Sequence, residues 1–170
     1  MKKPTWRHRM ATVNDALLLA GMNHQLIQDE GHRNPMSVPE LADRMRDWIT
    51  SDYSAILFES GSEVIAYALY REEKDSIYLR QFFVCRELRR SGIGRQCINI
   101  LFSEVWTQDK RISVDVLTRN TGGISFWRSV GFSDYCLTLE IYPNLKNMKN
   151  RSGHPAVLRF LIKDWGHEAV

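Results

Sequence analysis

Six consecutive residues, Arg89-Arg90-Ser91-Gly92-Ile93-Gly94, have the types and spacing to hold an anion. They stand between a strand-like run and a helix-like one. Glycines let a backbone approach an anion with no side chain between them, and a helix's first turn presents unpaired N–H groups at the positive end of its peptide dipoles. Arg86, Arg89, Arg90 and Arg95 add positive charge at the same corner. Taken alone, the pattern also suits a left-handed turn beside a solvated basic patch. Two nucleotide motifs are excluded. A dinucleotide fingerprint needs Gly or Ala where Cys97 stands, and a Walker loop needs a Gly-Lys-Ser/Thr that is absent. A second concentration of ionisable groups is Asp29-Glu30-Gly31-His32-Arg33. Cys85 lacks the Cys/His/Asp arrangement of a nucleophilic thiol, and the five histidines lack metal-ligand spacing, so no metal is expected.

The elements that must position these residues are legible from hydrophobic period. Arg7–Thr12 reads as a first strand. Asn14 or Asp15 caps a helix running to about Gln28, with Leu18, Met22 and Leu26 recurring every four residues. Ser37-Val38-Pro39-Glu40 is a capping box with proline in the first turn, opening a second helix with stripe Leu41, Met45 and Trp48. The period then shortens. Residues 55–59 and 64–70 form a hairpin across Ser60-Gly61-Ser62, and 77–85 makes the next strand. Ile93, Cys97, Leu101 and Val105 mark a third helix and 112–118 a strand; a short helix follows, ending Val130-Gly131-Phe132, where Gly131 suits the left-handed cap. Residues 135–142 are expected as a last strand. The order β-α-α-β-β-β-α-β-α-β predicts a mixed α/β sheet.

Whole-chain arithmetic bounds the rest. With 170 residues, 44% hydrophobic and 25% charged, the chain is about one soluble domain and neither disordered nor fibrous. No apolar run approaches the ~20 residues of a membrane span, and the basic start has no apolar segment behind it, so neither membrane nor secretion is expected. Three cysteines, an odd number inside hydrophobic patterns, suit a reduced cytoplasmic protein. A net charge of +3 is too mild to imply nucleic acid and suits a small anionic ligand. A nucleic-acid reading built on the four arginines would require steep salt dependence, and none is expected.

The loop resembles the signature of the GNAT superfamily of N-acetyltransferases, Arg/Gln-x-x-Gly-x-Gly/Ala between the fourth strand and third helix. Every fixed place is filled. A second segment, Asn120 followed by Phe126-Trp127-Arg128-Ser129-Val130-Gly131-Phe132, is similar to the family's Asn-(x)6-Tyr-x-x-x-Gly-Phe, with tryptophan in place of tyrosine. The resemblance covers about residues 7–142. It implies a mostly antiparallel sheet splayed between strands 4 and 5 and flanked by helices, with residues 1–142 as the transferase domain. Residues 143–170 are then a C-terminal extension, whose apolar part, 156–162, packs on this chain or on a partner such as a second copy in a homodimer.

The resemblance implies acetyl-CoA as co-substrate and a primary amine of a small molecule or peptide as acceptor, attacked directly. It assigns the pyrophosphate to Arg89, Arg90, Ser91, Gly92, Ile93 and Gly94, with Arg95 adding charge. The pantetheine arm falls to backbone groups of Phe82, Phe83 and Val84, with Asn120, Phe126 and Trp127 alongside. Indole N–H only donates, so Trp127 cannot serve as the acid that family tyrosines provide, and the proton falls to solvent, the attacking ammonium or another residue such as Tyr135. Arg80 and Gln81 stand where some members carry a glutamate. Glu30 is the candidate base, in the acceptor-binding region with His32, and acidic Asp29 and Glu30 favour a cationic acceptor. Asp115, on an alternating strand, reads as structural or exposed. The alternative is a non-catalytic acyl-CoA-binding module of the same fold.

Overall fold

The structure, a computed structural model, describes residues 6–141. The chain divides into two units, residues 1–133 and 134–170. The first contains β1 (Trp6–Met10), a 3-10 turn at Val13–Asp15, α1 (Ala16–Glu30), α2 (Val38–Thr50), β2 (Tyr53–Ser60), β3 (Glu63–Glu72), β4 (Ser76–Val84), α3 (Ile93–Ile100), β5 (Arg111–Val114) and α4 (Thr121–Ser129). The sheet runs in the order β1-β2-β3-β4-β5. The first four strands are antiparallel to their neighbours, and β5 joins β4 in parallel. This is the expected mixed, mostly antiparallel sheet with helices on its faces.

Local chemistry sets the helix ends. The Ser37 N–H donates to Glu40 Oε2 at 2.7 Å, closing the expected capping box of α2. Gly31, at φ 63°, ends α1 in the left-handed region that glycine tolerates best. The expected stripe of α1 holds at Met22, which is buried, and at Leu26, which packs beside it, but differs at its first position. Leu19 is fully buried and Leu18 is 45% exposed, because residues 16–20 are all apolar and leave the phase undefined until the helix packs. α3 continues into a wider π turn at Leu101–Val105, and Cys97 and Leu101 are buried as expected.

Each face of the sheet has its own core. Ala55, Leu57, Tyr67, Leu69 and Phe83 pack with Leu19 and Met45. Ile56, Phe58, Ala66, Ala68, Ile77 and Leu79 pack with Cys97, Ile98 and Trp127. Strand alternation separates the two sets except at two bulges: on β3 the neighbours Ile65 and Ala66 both face the α3–α4 side, at the register shift with β2, and β4 breaks the pattern again. There the register with β3 jumps from Leu69↔Gln81 to Tyr70↔Leu79, leaving Arg80 as an extra residue. This bulge reverses the strand's parity: Ile77 and Leu79 face the α3–α4 side before it, whereas Phe82 does so after it.

Two expected strands are revised. β5 ends at Val114 instead of Thr118, because its ladder with β4 stops at Leu79↔Val114, where the Arg80 bulge begins. Residues 135–141, in the second unit, form no strand. Leu137, Leu139 and Ile141 alternate like a half-buried strand but are 65%, 84% and 85% exposed, and no described strand pairs with them. The extension expected at 143–170 lies outside the described residues.

Candidate functional site

β4 pairs with β5 only through Ser76–Leu79, then runs on to Val84 with no neighbour on that side among the described residues. This is the expected splay. It leaves an open backbone edge at Phe82, Phe83 and Val84, whose other edge is held by Ala68, Tyr67 and Ala66 of β3. An edge in this state can accept one more extended chain.

The loop beyond β4 ends in an anion-ready helix start. Arg90 and Gly92 both take left-handed backbone, at φ 65° and 87°, and Gly92 opens α3. The first N–H bonded in the helical pattern is that of Gln96, to the Gly92 carbonyl at 3.1 Å, so those of Ile93, Gly94 and Arg95 have no backbone acceptor among the described residues. The arginines divide their roles. Arg89 Nε donates to the Val84 carbonyl at 2.8 Å and its Nη2 meets Asp29 at 2.6 Å, bracing the loop. Arg86 also pairs with Asp29, through Nε at 2.8 Å. Arg95 Nη2 donates to the Ser129 carbonyl at 2.9 Å, at the C-terminal end of α4. Arg90 is exposed beside the free N–H groups. Partial burial pushes the Asp29 carboxyl up, but the guanidinium groups of Arg86 and Arg89 more than offset this and hold it below its ordinary value. Asp29 is therefore an internal brace rather than a free acid.

Glu30 and Asn120 meet across an open recess of about 400 Å³ between the end of α1 and the start of α4. Asn120 caps α4, its Oδ1 accepting from the Gly123 N–H at 2.9 Å. That bond orients the amide, and Nδ2 donates to Glu30 Oε1 at 3.2 Å. The close cap explains Gly123, where a Cβ would fall 2.6 Å from the Asn120 side chain. Arg119 hydrogen-bonds the Gly31 carbonyl, joining the same two elements. Burial pushes the Glu30 carboxyl above its ordinary value despite the Asn120 hydrogen bond. A raised carboxyl facing a recess holds a proton more readily than an ordinary one, as a general base needs.

An aromatic wall borders the open edge. Phe82 stacks on Phe126 with centroids 5.9 Å apart, and Trp127 lies against Phe82, Phe126 and Phe132. Trp127 is 9% exposed and belongs to the core. Gly94 touches this wall: a Cβ there would lie 3.1 Å from the Phe126 ring. Tyr135 belongs to the second unit and is 91% exposed.

On the α1–α2 side, three polar residues form a chain. The Tyr67 hydroxyl donates to Gln81 Oε1 at 3.0 Å, and Gln81 Nε2 donates to Asn23 Oδ1 at 3.0 Å. Sequence reasoning misses Asn23 and Tyr67, although a lone asparagine after Met22 in an apolar stripe is a signal. Burial drives the Tyr67 phenol far up, with the Glu30 carboxylate adding to it, so this phenol stays protonated. His32 is pushed below its ordinary value by burial and by surrounding arginines. Burial likewise pushes the Cys85 thiol up, which fits no nucleophilic role. Asp115 accepts from the Tyr78 hydroxyl at 2.9 Å. Among the described residues no group of three or more His, Cys, Asp and Glu could hold a metal ion, and no helix is long and apolar enough to cross a membrane.

A family model described as acetyltransferase (GNAT) family matches residues 23–132, more than half of the chain. The protein belongs to the GNAT acetyltransferase family. Solved structures of similar fold include an acetyltransferase from Thermus thermophilus, 18% identical, with 76% of this chain and 87% of that one covered and a TM-score of 0.64. Aminoglycoside N-acetyltransferase AAC(6')-Iy in complex with CoA is 12% identical, covers 84% and 97%, and has a TM-score of 0.66. The aminoglycoside acetyltransferase meta-AAC0020, from an uncultured soil metagenomic sample and in complex with sisomicin, is 13% identical, covers 82% and 95%, and has a TM-score of 0.62. At such identities the likeness is one of fold. No curated protein matches the sequence significantly.

Proposed function

We propose that this protein is an N-acetyltransferase that moves the acetyl group of acetyl-CoA directly onto a primary amine of a small molecule or peptide. One observation carries the reading: the open edge of β4 leads straight to a helix start with unpaired N–H groups. An extended arm ending in a diphosphate matches both features. Residues 1–142 are the proposed transferase domain, with 143–170 as its extension, and cytoplasmic function accords with free Cys85, Cys97 and Cys136.

The residues present fit acetyl-CoA, which supplies a thioester as the electrophile. The N–H groups of Ile93, Gly94 and Arg95, with the Arg90 guanidinium, hold the diphosphate. Backbone groups of Phe82, Phe83 and Val84 pair with the arm, and an N–H on that edge stabilises negative charge at the carbonyl oxygen. Phe126 and Trp127 wall the arm. Glu30 takes the proton that the acceptor amine must lose, with Oε1 held by Asn120. Solvent, the attacking ammonium or Tyr135 would supply the proton that the leaving sulfur needs, and Tyr135→Phe lowers kcat only in the last case.

Trp127, standing where family members often carry the acid, favours a second reading, a non-catalytic acyl-CoA binder. Calorimetry with acetyl-CoA followed by a thiol-release assay across an amine panel tests both. Heat of binding with amine-dependent thiol release supports the enzyme, and heat without release supports the binder. Absence of binding at high protein concentration defeats both.

A further inference from the structure

The strongest unassigned feature is a pair of arginines that meet no carboxylate among the described residues. The β4 bulge places Arg80 on the same side of the sheet as Gln81, where regular alternation would send one of them to the opposite face. Its guanidinium lies 4.7 Å from the Trp48 ring centroid and 5.7 Å from that of Tyr53, and Nη1 contacts the Tyr53 hydroxyl at 3.3 Å. Arg44 of α2 reaches the same indole, 4.5 Å from its centroid. Both arginines are half-buried, and neither meets a carboxylate among the described residues. Arg44 Nε is buried with no hydrogen-bond partner among the described residues. Burial and the charge of Arg80 together push the Arg44 guanidinium below its ordinary value. Two like charges held on one platform are an unfavourable arrangement that a bound anion relieves.

The pair borders the proposed acceptor side. Arg80 precedes Gln81, which hydrogen-bonds Tyr67, and the Tyr67 hydroxyl feels the charges of both Glu30 and Arg44. His32, beyond the end of α1, lies within the field of both arginines. Asp29, one of the two acids that suggested a cationic acceptor, is already engaged by Arg86 and Arg89.

We infer that the acceptor is an amine that also carries a carboxylate, bound by Arg44 and Arg80 over Trp48 while its amino group faces Glu30. The inference rests on the acetyl-transfer reading above and gives that site its substrate class. The planar guanidinium fork suits a carboxylate, and stacking on Trp48 fixes its orientation. A phosphate-bearing amine shares the chemistry, and a polycationic acceptor is disfavoured.

The test pairs α-amino acids with their uncharged-end amides, for example methionine with methioninamide, and ethanolamine with O-phosphoethanolamine. Thiol release reads turnover, and calorimetry of the same compounds reads binding without acetyl-CoA. The expected result is an anionic-to-amide preference of at least about tenfold in kcat/KM or Kd, collapsing toward one in both Arg80→Gln and Arg44→Gln. Preference for phosphoethanolamine over the amino acids would replace the carboxylate and overturn its assignment. Equal or better use of the amides, or an anion preference that survives both substitutions, would also overturn it. Failure of acetyl-CoA to bind would sink the transferase reading instead, while the binding ratios still decide the anion site.

Discussion

Glu30 is a carboxyl that burial pushes above its ordinary value, the property its proposed role as base requires. Burial favours its neutral form, so its contribution to folding is fully present at low pH and lost as pH rises through the folded pKa. Glu30→Gln is therefore expected to keep or raise the melting temperature at pH 7, while kcat falls by about 10²–10⁴-fold, the range for a lost general base. The kcat/KM profile of the native enzyme should rise with pH along a limb above the ordinary carboxylate range, and the variant should lack that limb. Asn120→Asp gives an independent check. Aspartate preserves the α4 cap but sets a second negative charge beside Glu30, so the limb should move to higher pH. An unmoved limb would show that Glu30 is not the titrating group.

At the scale of elements, the two glycines of the loop have different reasons to be glycine. Gly92 has open space around a Cβ position but sits at φ 87°, whereas Gly94 has ordinary backbone and no room against Phe126. Gly92→Ala should cost about 1–2 kcal/mol through left-handed backbone strain. Gly94→Ala should cost about 1–3 kcal/mol by pushing α3 off the aromatic wall. Urea denaturation measures both. Gly92→Val, which distorts the N–H array itself, should weaken acetyl-CoA binding by more than about tenfold in calorimetry, roughly 1.4 kcal/mol. Unchanged affinity would place the diphosphate elsewhere. The bulge is the other element-scale device, since one extra residue ends the β5 ladder and turns Arg80 and Gln81 toward the α1–α2 side.

Across the first unit, ion pairs tie the ends of α1 to distant chain. Arg9 of β1 binds Asp15 at 2.8 Å just ahead of α1 and lowers its carboxyl to about 2. Asp29, near the other end of α1, holds Arg86 and Arg89. Carboxyls depressed by folding contribute stability that is present above their unfolded pKa and lost as pH falls through the folded one. The urea midpoint should therefore drop as pH falls from about 5 toward 2, over the range set by unfolded carboxyls near 3.9 and these lowered folded values. Asp29→Asn should lower the midpoint at pH 7 and flatten that dependence. An equally steep acid loss in this variant would show that Asp29 contributes none of it.

The sequence by itself determined the features made of neighbouring residues. The capping box at Ser37 and the glycine loop at Gly92 were legible because a helix end is satisfied within one turn, whereas the Asn120 cap of α4 appeared only in the structure. The order of the first nine elements was legible because hydrophobic period is local as well. The first buried position of α1 was not, since Leu17, Leu18 and Leu19 are equivalent until one of them meets the sheet, although Met22 and Leu26 fell where the period put them. Nor was the fate of residues 135–141, because alternation describes a strand only where a partner supplies the ladder. Asp29 looked like a free acid along the chain, and folding brought Arg86 and Arg89 to it. Only the tertiary structure decided that Arg44 and Arg80 share one indole, since a register shift and a helix position converge there. Charges far apart in sequence find their partners, or lack them, once the sheet has set its register.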